Sequence, residues 1–125
     1  MIKPVRTDNA PQAIGPYSQA VVWEQFIFCS GQIGIDPATG VLVDGIEAQT
    51  RQVITNLIAV LGEANVDLSS VVKATIYVVS IEDFTKVNEI YGQFFGDHKP
   101  ARATVAVTAL PKGALIEIDA IAVKS

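Results

Sequence analysis

The sequence predicts an α+β fold, a two-layer sandwich with two helices on one face of a mixed sheet, in the order ββαβαββ. Three observations carry this expectation. Five short runs are dense in β-branched, aromatic or alternating apolar residues, as half-buried strands are. Two longer stretches repeat apolar residues at helical spacing. Proline and glycine clusters separate the runs, with no repeat or low-complexity linker, so one domain is expected over residues 1–125.

The elements follow in order. Asn9 to Pro16 reads as loop, because Pro11, Gly15 and Pro16 all oppose helix. Residues 17–23 and 26–33 read as two strands around a Glu24-Gln25 turn, and Asp36-Pro37-Ala38-Thr39-Gly40 as a further turn. The first helix is expected from about Gly45 to Ala64. Ile46, Val53, Leu57, Leu61 and Ala64 form its apolar stripe, and Asp44 with Glu47 has capping-box spacing. Residues 71–79 form the third strand. The second helix carries Phe84, Val87, Tyr91 and Phe94 on one stripe, with Ser80 as its expected cap and Gly96 as its stop.

Residues 101–108 and 115–123 complete the sheet, joined through Leu110-Pro111-Lys112-Gly113. Ile116, Ile118, Ala120 and Ala122 share one face of the last strand; Leu115, Glu117, Asp119, Ile121 and Val123 share the other. Apolar residues therefore occupy both faces. Two helices cover only one face, so a second copy of the chain is the expected cover for the other.

Composition narrows the function. Half of the 125 residues are hydrophobic and only 18% are charged, which excludes a solvating disordered segment. No run approaches the ~20 apolar residues of a membrane span, so no membrane association is expected. The formal charge is −4 and no basic cluster exists, which argues against nucleic acid as a partner. Met1 to Arg6 lacks the apolar core of a signal peptide. Cys29 is the single cysteine and closes no intrachain disulfide, so a cytoplasmic location is expected.

One histidine and one cysteine do not make a His/Cys metal site, and neither a dinucleotide fingerprint nor a P-loop lysine is present. His98 lies in the polar Gly96-Asp97-His98-Lys99-Pro100 segment and reads as a solvated surface residue. The chemistry then rests on charges set into apolar strands. Arg102 opens one strand and Glu117 interrupts another. Burying either alone is costly, so each requires a partner or an interface. One reading is a structural ion pair. The other is a carboxylate-binding guanidinium beside a carboxylate that handles a proton. Glu117 and Asp119 together also suggest a glycosidase-like acid pair, with no other sign of a sugar cleft. Tyr17 and Ser30 add neutral donors near strand ends.

These residues resemble the reactive intermediate deaminase (RidA/YjgF) family over essentially the whole chain. The matching segments run in order: Asn9-Ala10-Pro11 to Gln19, Ser30-Gly31-Gln32-Ile33, Asp36 to Gly40, Gln49-Thr50-Arg51-Gln52 with Asn56-Leu57, Val87-Asn88 with Tyr91, Pro100-Ala101-Arg102, Leu110-Pro111 and Ile116-Glu117-Ile118. The resemblance implies a chorismate-mutase-like (YjgF) fold and a homotrimer with active sites between subunits. It implies hydrolysis of 2-imino acids, released as enamines by pyridoxal-phosphate dehydratases, to 2-oxo acids and ammonia, with no cofactor or metal.

By the same resemblance Arg102 holds the substrate carboxylate and Glu117 orients or activates water. Tyr17, Ser30 and Gly31 line the pocket, and Asn88 lies nearby. Thr104 departs from many relatives, which carry cysteine there; a role through its backbone carbonyl survives the change. Two alternatives accompany this reading: a non-enzymatic chaperone or small-ligand regulatory module, and an endoribonuclease or translation inhibitor. The acidic balance and the lack of a histidine pair oppose the second.

Overall fold

Period-two alternation dictates the centre of the molecule. Ile116, Ile118, Ala120 and Ala122 are buried, while the residues between them are half-exposed. Their strand sits at the middle of a six-stranded sheet. In a computed structural model, which describes residues 1–125, the strands are β1 (Lys3–Val5), β2 (Ala20–Trp23), β3 (Phe26–Ile33), β6 (Val71–Val78), β7 (Ala101–Ala106) and β8 (Ile116–Val123). They are ordered β1-β2-β3-β8-β6-β7. A separate two-stranded ribbon, β4 (Ile35–Asp36) with β5 (Val41–Leu42), closes around the Asp36–Gly40 turn. All pairings are antiparallel except β6 with β7, whose crossover is helix α2 (Phe84–Phe95). Helix α1 (Ile46–Glu63) connects the β4–β5 ribbon to β6.

The predicted α+β sandwich is therefore the observed one, with additions at its edge. The strand β1 contains Pro4, which an edge tolerates because one side of the strand needs no ladder partner. Residues 17–19 are not strand as expected. Ser18 and Gln19 turn their carbonyls to Ser30, and Gln19 commits its side chain to the preceding loop. The strand expected at 26–33 has those bounds; those expected at 71–79 and 101–108 stop early, at 78 and 106, and the one expected at 115–123 begins at 116.

The helix starts differ from the capping expected. Gly45, at φ 88°, occupies the cap of α1, and no side chain caps the helix. That backbone conformation, open to glycine, displaces Asp44 from the capping position. Ser80 likewise makes no capping bond, because a 3₁₀ turn (Ile81–Asp83) intervenes before α2. Gly96 ends α2 as expected, at φ 61°.

Packing follows the stripes. Val53, Leu57 and Leu61 of α1 and Ala64 at its C-terminal cap, with Val87 and Tyr91 of α2, join Ile27, Cys29, Ala74, Ile76, Ile116 and Ile118 in one contiguous core. Each large aliphatic side chain so buried contributes roughly 1.5–3 kcal/mol relative to exposure. The opposite sheet face has no helix. There Trp23, Phe26 and Phe28 form a stacked row, with Trp23 45% and Phe28 41% exposed. Neither helix is long and apolar enough to cross a membrane.

Buried amides of α1 pin the loops at the sheet end. Asn56 is fully buried and donates from Nδ2 to the carbonyls of Ile33 (3.2 Å) and Ile35 (2.9 Å). Gln52 Nε2 donates to Asn56 Oδ1 at 2.9 Å, which fixes the amide's orientation. Gln49 Oε1 accepts from the Leu115 N–H at 2.8 Å and so fixes the entry to β8. Gly34 is required by this contact, since a Cβ there would lie 2.9 Å from Gln49 Cα. Asn56→Leu leaves two buried carbonyls without donors and is expected to destabilise the chain by about 2–4 kcal/mol. Urea unfolding checks this, and an unchanged midpoint contradicts the clamp.

Candidate active site

The Glu117 side chain projects from β8 onto the helix-free face, paired in register with Tyr77 of β6 and Ile33 of β3. Beside it the β3–β8 ladder is irregular between Cys29 and Gln32, so Ser30 and Gly31 bow away from regular pairing. The missing Cβ of Gly31 makes the room for the carboxylate: a methyl there would fall on Glu117 Oε2. Burial first, and the negative charge of Asp119 second, hold the Glu117 carboxyl above its ordinary value. Asp119 itself accepts a hydrogen bond from the Tyr77 hydroxyl at 3.0 Å, which in turn makes that phenol harder to ionise.

The N-terminal loop walls this carboxylate in. Gln19 is buried and donates from Nε2 to the carbonyls of Thr7 (3.1 Å), Ala10 (3.4 Å) and Pro11 (2.7 Å), while its Oε1 accepts from Thr7 N–H at 2.7 Å. One amide thus shapes the turn that brings Tyr17 over β3. The Ser30 hydroxyl donates to the Ser18 carbonyl at 2.6 Å, which ties the loop to the strand. The result is a cleft of about 460 Å³ lined by Ile14, Tyr17, Ser30, Gly31, Lys112 and Glu117, among others.

Arg102 lies elsewhere. In the parallel β6–β7 register it pairs with Ala74, a buried residue of the helix-covered face, and it points toward α2. Its guanidinium carbon sits 4.9 Å from the ring centroid of Tyr91 and 5.6 Å from that of Phe84. Asn88, Tyr91, Lys99 and Arg102 line a second cleft of about 460 Å³. Thr104 is two residues further along the same face of β7, and its buried hydroxyl has no hydrogen-bond partner within the chain. The strand β7 is an edge, so its outer backbone groups are unpaired by the sheet.

The expected site residues therefore fall into two groups. Tyr17, Ser30, Gly31 and Glu117 converge in one cleft, and Arg102 with Asn88 in the other. Thr104 accompanies Arg102 on its strand without lining that cleft. Opposite faces of one sheet separate the groups within a chain. The structural ion pair is overturned, because the chain's salt bridges are Arg6–Asp8 at 3.0 Å and Lys86–Glu47 at 3.7 Å, both on the surface. Arg102 rests on aromatic rings instead. The paired-acid reading of Glu117 and Asp119 loses its second acid to Tyr77.

His98 also departs from expectation. It is half-buried, with Nε2 2.7 Å from the Val71 carbonyl and its ring stacked 6.3 Å from Phe95. The backbone reversal at Gly96 folds the following loop back over the helix end, which is why a polar segment yields a packed histidine. Sequence reasoning missed Lys112, Gln19 and the aromatic seat of Arg102. The seat had a legible signal, since Phe84 and Tyr91 are seven residues apart and so share one helix face. Lys112 had none: its position on the cleft depends on a left-handed turn, φ 58°, between Pro111 and Gly113.

Comparisons with known proteins converge on one family. The sequence model described as Endoribonuclease L-PSP matches residues 7–124. The chain is 53% identical over 119 residues to a RutC family protein of Pyrococcus horikoshii, covering 94% of each. It is 49% identical over 123 residues to the 2-iminobutanoate/2-iminopropanoate deaminase of Bos taurus, covering 98% of this chain and 90% of that protein. The crystal structure of Escherichia coli TdcF with bound serine superimposes with a TM-score of 0.95 at 39% identity, covering 98% of this chain and 99% of that one. With nearly its full length matched and the same architecture as these relatives, the chain belongs to the RidA/YjgF family, whose model bears the name Endoribonuclease L-PSP.

Proposed function

We propose that this protein hydrolyses 2-imino acids such as 2-iminobutanoate and 2-iminopropanoate to 2-oxo acids and ammonia. The observation that carries the reading is the chemical complementarity of the two clefts. One presents a guanidinium whose charge no carboxylate of the chain neutralises, and the other a carboxyl poised to exchange a proton. The names of the mammalian relatives support it, including the human 2-iminobutanoate/2-iminopropanoate deaminase at 48% identity over 121 residues.

Because the clefts open on opposite faces, the complete site requires two copies. In the proposed assembly, a homotrimer, the Arg102 cleft of one subunit lies against the Glu117 cleft of the next. The exposed Trp23–Phe28 row supplies apolar surface for such a contact.

Within that site Arg102 grips the substrate carboxylate by two parallel hydrogen bonds. The C=N carbon is already electrophilic, so water adds to it directly once Glu117 accepts a proton from the attacking water. Glu117 returns that proton to nitrogen to give the tetrahedral carbinolamine. The adduct's hydroxyl proton then passes through Glu117 to nitrogen, the C–N bond breaks with loss of ammonia, and the C=O bond of the 2-oxo acid forms. Tyr17 and Ser30 orient the reacting groups, Gly31 leaves the room that the carboxylate occupies, and Asn88 borders the anion end. Thr104 contributes through its backbone on the open edge of β7. Lys112, at the rim of the Glu117 cleft, adds positive potential that draws anionic substrate inward. A ribonuclease reading lacks its usual acid–base partners, since the chain's one histidine is engaged with Val71 and Phe95.

Ammonia release from 2-iminobutanoate, generated in the assay by a threonine dehydratase, tests the assignment. Arg102→Ala is expected to raise KM roughly 10- to 150-fold, the loss of a charged hydrogen-bonded contact. Glu117→Ala is expected to lower kcat by about 10²–10⁴. Wild-type rates in a trimeric Arg102→Ala protein would sink the reading.

Mixing tests the shared site directly. Unfolding and refolding equal amounts of Arg102→Ala and Glu117→Ala chains together should restore activity at about a quarter of the interfaces in a randomly assembled ring. Two inactive proteins that stay inactive after verified exchange would place both residues in one subunit's site.

The raised pKa of Glu117 has a defined sign. The folded chain holds this proton more tightly than the unfolded chain does. Its contribution to stability is therefore full below the unfolded value and lost as pH rises through the folded value. Glu117→Gln is expected to raise the melting temperature near pH 8 and to give no gain near pH 4. The wild-type rate should fall with acidification at a pH above the ordinary carboxyl value of 4.5. Equal melting shifts at both pH values would contradict the buried-carboxylate account.

A further inference from the structure

The manner in which Arg102 is held has its own chemical content. A guanidinium carries five N–H donors in one plane. Holding it with carboxylates or carbonyls would spend those donors before any ligand arrived. Here Arg102 makes no hydrogen bond or salt bridge within the chain, and two aromatic rings flank it, Tyr91 at 4.9 Å and Phe84 at 5.6 Å. Attraction between a cation and a ring face restrains the plane while leaving its N–H edge free, and that edge is what reads a carboxylate.

The nearer ring is itself braced. Tyr91 is only 7% exposed and stacks on Phe95 with centroids 4.2 Å apart at 17°. Phe95 in turn meets the His98 ring at 6.3 Å, and His98 is hydrogen-bonded to the Val71 carbonyl at the start of the neighbouring strand β6. A column of rings thus runs from the sheet backbone to the guanidinium. The Tyr91 hydroxyl lies buried with no hydrogen-bond partner in the chain, so within the chain it is the ring that engages Arg102.

We propose that Tyr91 is the positioning residue for Arg102, a braced aromatic platform that orients the guanidinium for two-point carboxylate recognition and consumes none of its donors. The inference rests on the reading of Arg102 as the carboxylate anchor, and it assigns to Tyr91 an effect on substrate affinity rather than on the water step.

Two measurements on the intact protein test it. In nitrogen-15-edited spectra the Arg102 Nε–H proton should lie upfield of those of Arg6 and Arg51, through the ring current of Tyr91. It should stay there in Tyr91→Phe and return toward the others in Tyr91→Leu. In titrations with the product 2-oxobutanoate, Tyr91→Phe should bind within about twofold of wild type and Tyr91→Leu roughly 2- to 30-fold more weakly. Tyr91→Leu should show the same change in KM at nearly unchanged kcat.

A folded Tyr91→Leu protein that binds as wild type does, while Arg102→Ala loses binding, overturns the platform and leaves the anchor standing. Undiminished binding by Arg102→Ala overturns both. Should Tyr91→Leu fail to fold, the wild-type spectrum decides: an Arg102 resonance coincident with those of Arg6 and Arg51 refutes the proposal.

Discussion

Two helices shield one face of a six-stranded sheet, and the position of every chemically useful side chain follows from which face it occupies. Side chains on a strand alternate between faces, so the choice for a given residue is binary. Arg102 falls on the covered face, at the edge strand where α2 is its only cover, and finds aromatic carbon there. Glu117 falls on the bare face, where the bowed Ser30–Gly31 segment and the N-terminal loop partly enclose it. Neither charge is buried alone at full cost, and neither neutralises the other. A chain that paired them internally would be more self-sufficient and would have no unpaired guanidinium.

The core carries its polarity in amides instead of charges. Gln19, Gln49 and Asn56 are nearly or fully buried, and each bonds to backbone in loops or at strand ends. Their bonds converge on three segments: the loop before β2, the Ile33–Ile35 passage and the entry to β8. Those segments border the Glu117 cleft. Amides suit this role because a neutral group costs less to bury than an ion, and its two-sided hydrogen bonding fixes loop geometry. The shape of the cleft thus depends on buried amides as well as on the side chains that face into it.

Much of this was legible beforehand, for reasons that differ by element. The two helices and the central strand β8 followed from periodicity, since burial on one side leaves a direct trace in residue spacing. The pairing of Tyr17 with Ser30 and Glu117 followed from family likeness, not from spacing. Caps were misjudged at Asp44 and Ser80, where glycine conformation and an intervening 3₁₀ turn outweighed side-chain preference. The edge strand β1 was overlooked because three residues containing a proline carry almost no strand signal. His98 was misplaced because a polar neighbourhood in sequence says nothing about the packing that a chain reversal creates.

From the sequence alone came the sandwich, the bare apolar face and the two isolated charges, because each is written in local pattern: alternation, helical repeat, and a charge among aliphatic neighbours. Only the tertiary structure decided that Arg102 and Glu117 lie on opposite faces of one sheet. Face is relative to the neighbouring strand, and register between β6, β7 and β8 is set by packing across dozens of residues, which no local window contains. The same nonlocal register seats the guanidinium on Tyr91, a ring from another element, and leaves its hydrogen-bonding edge unspent.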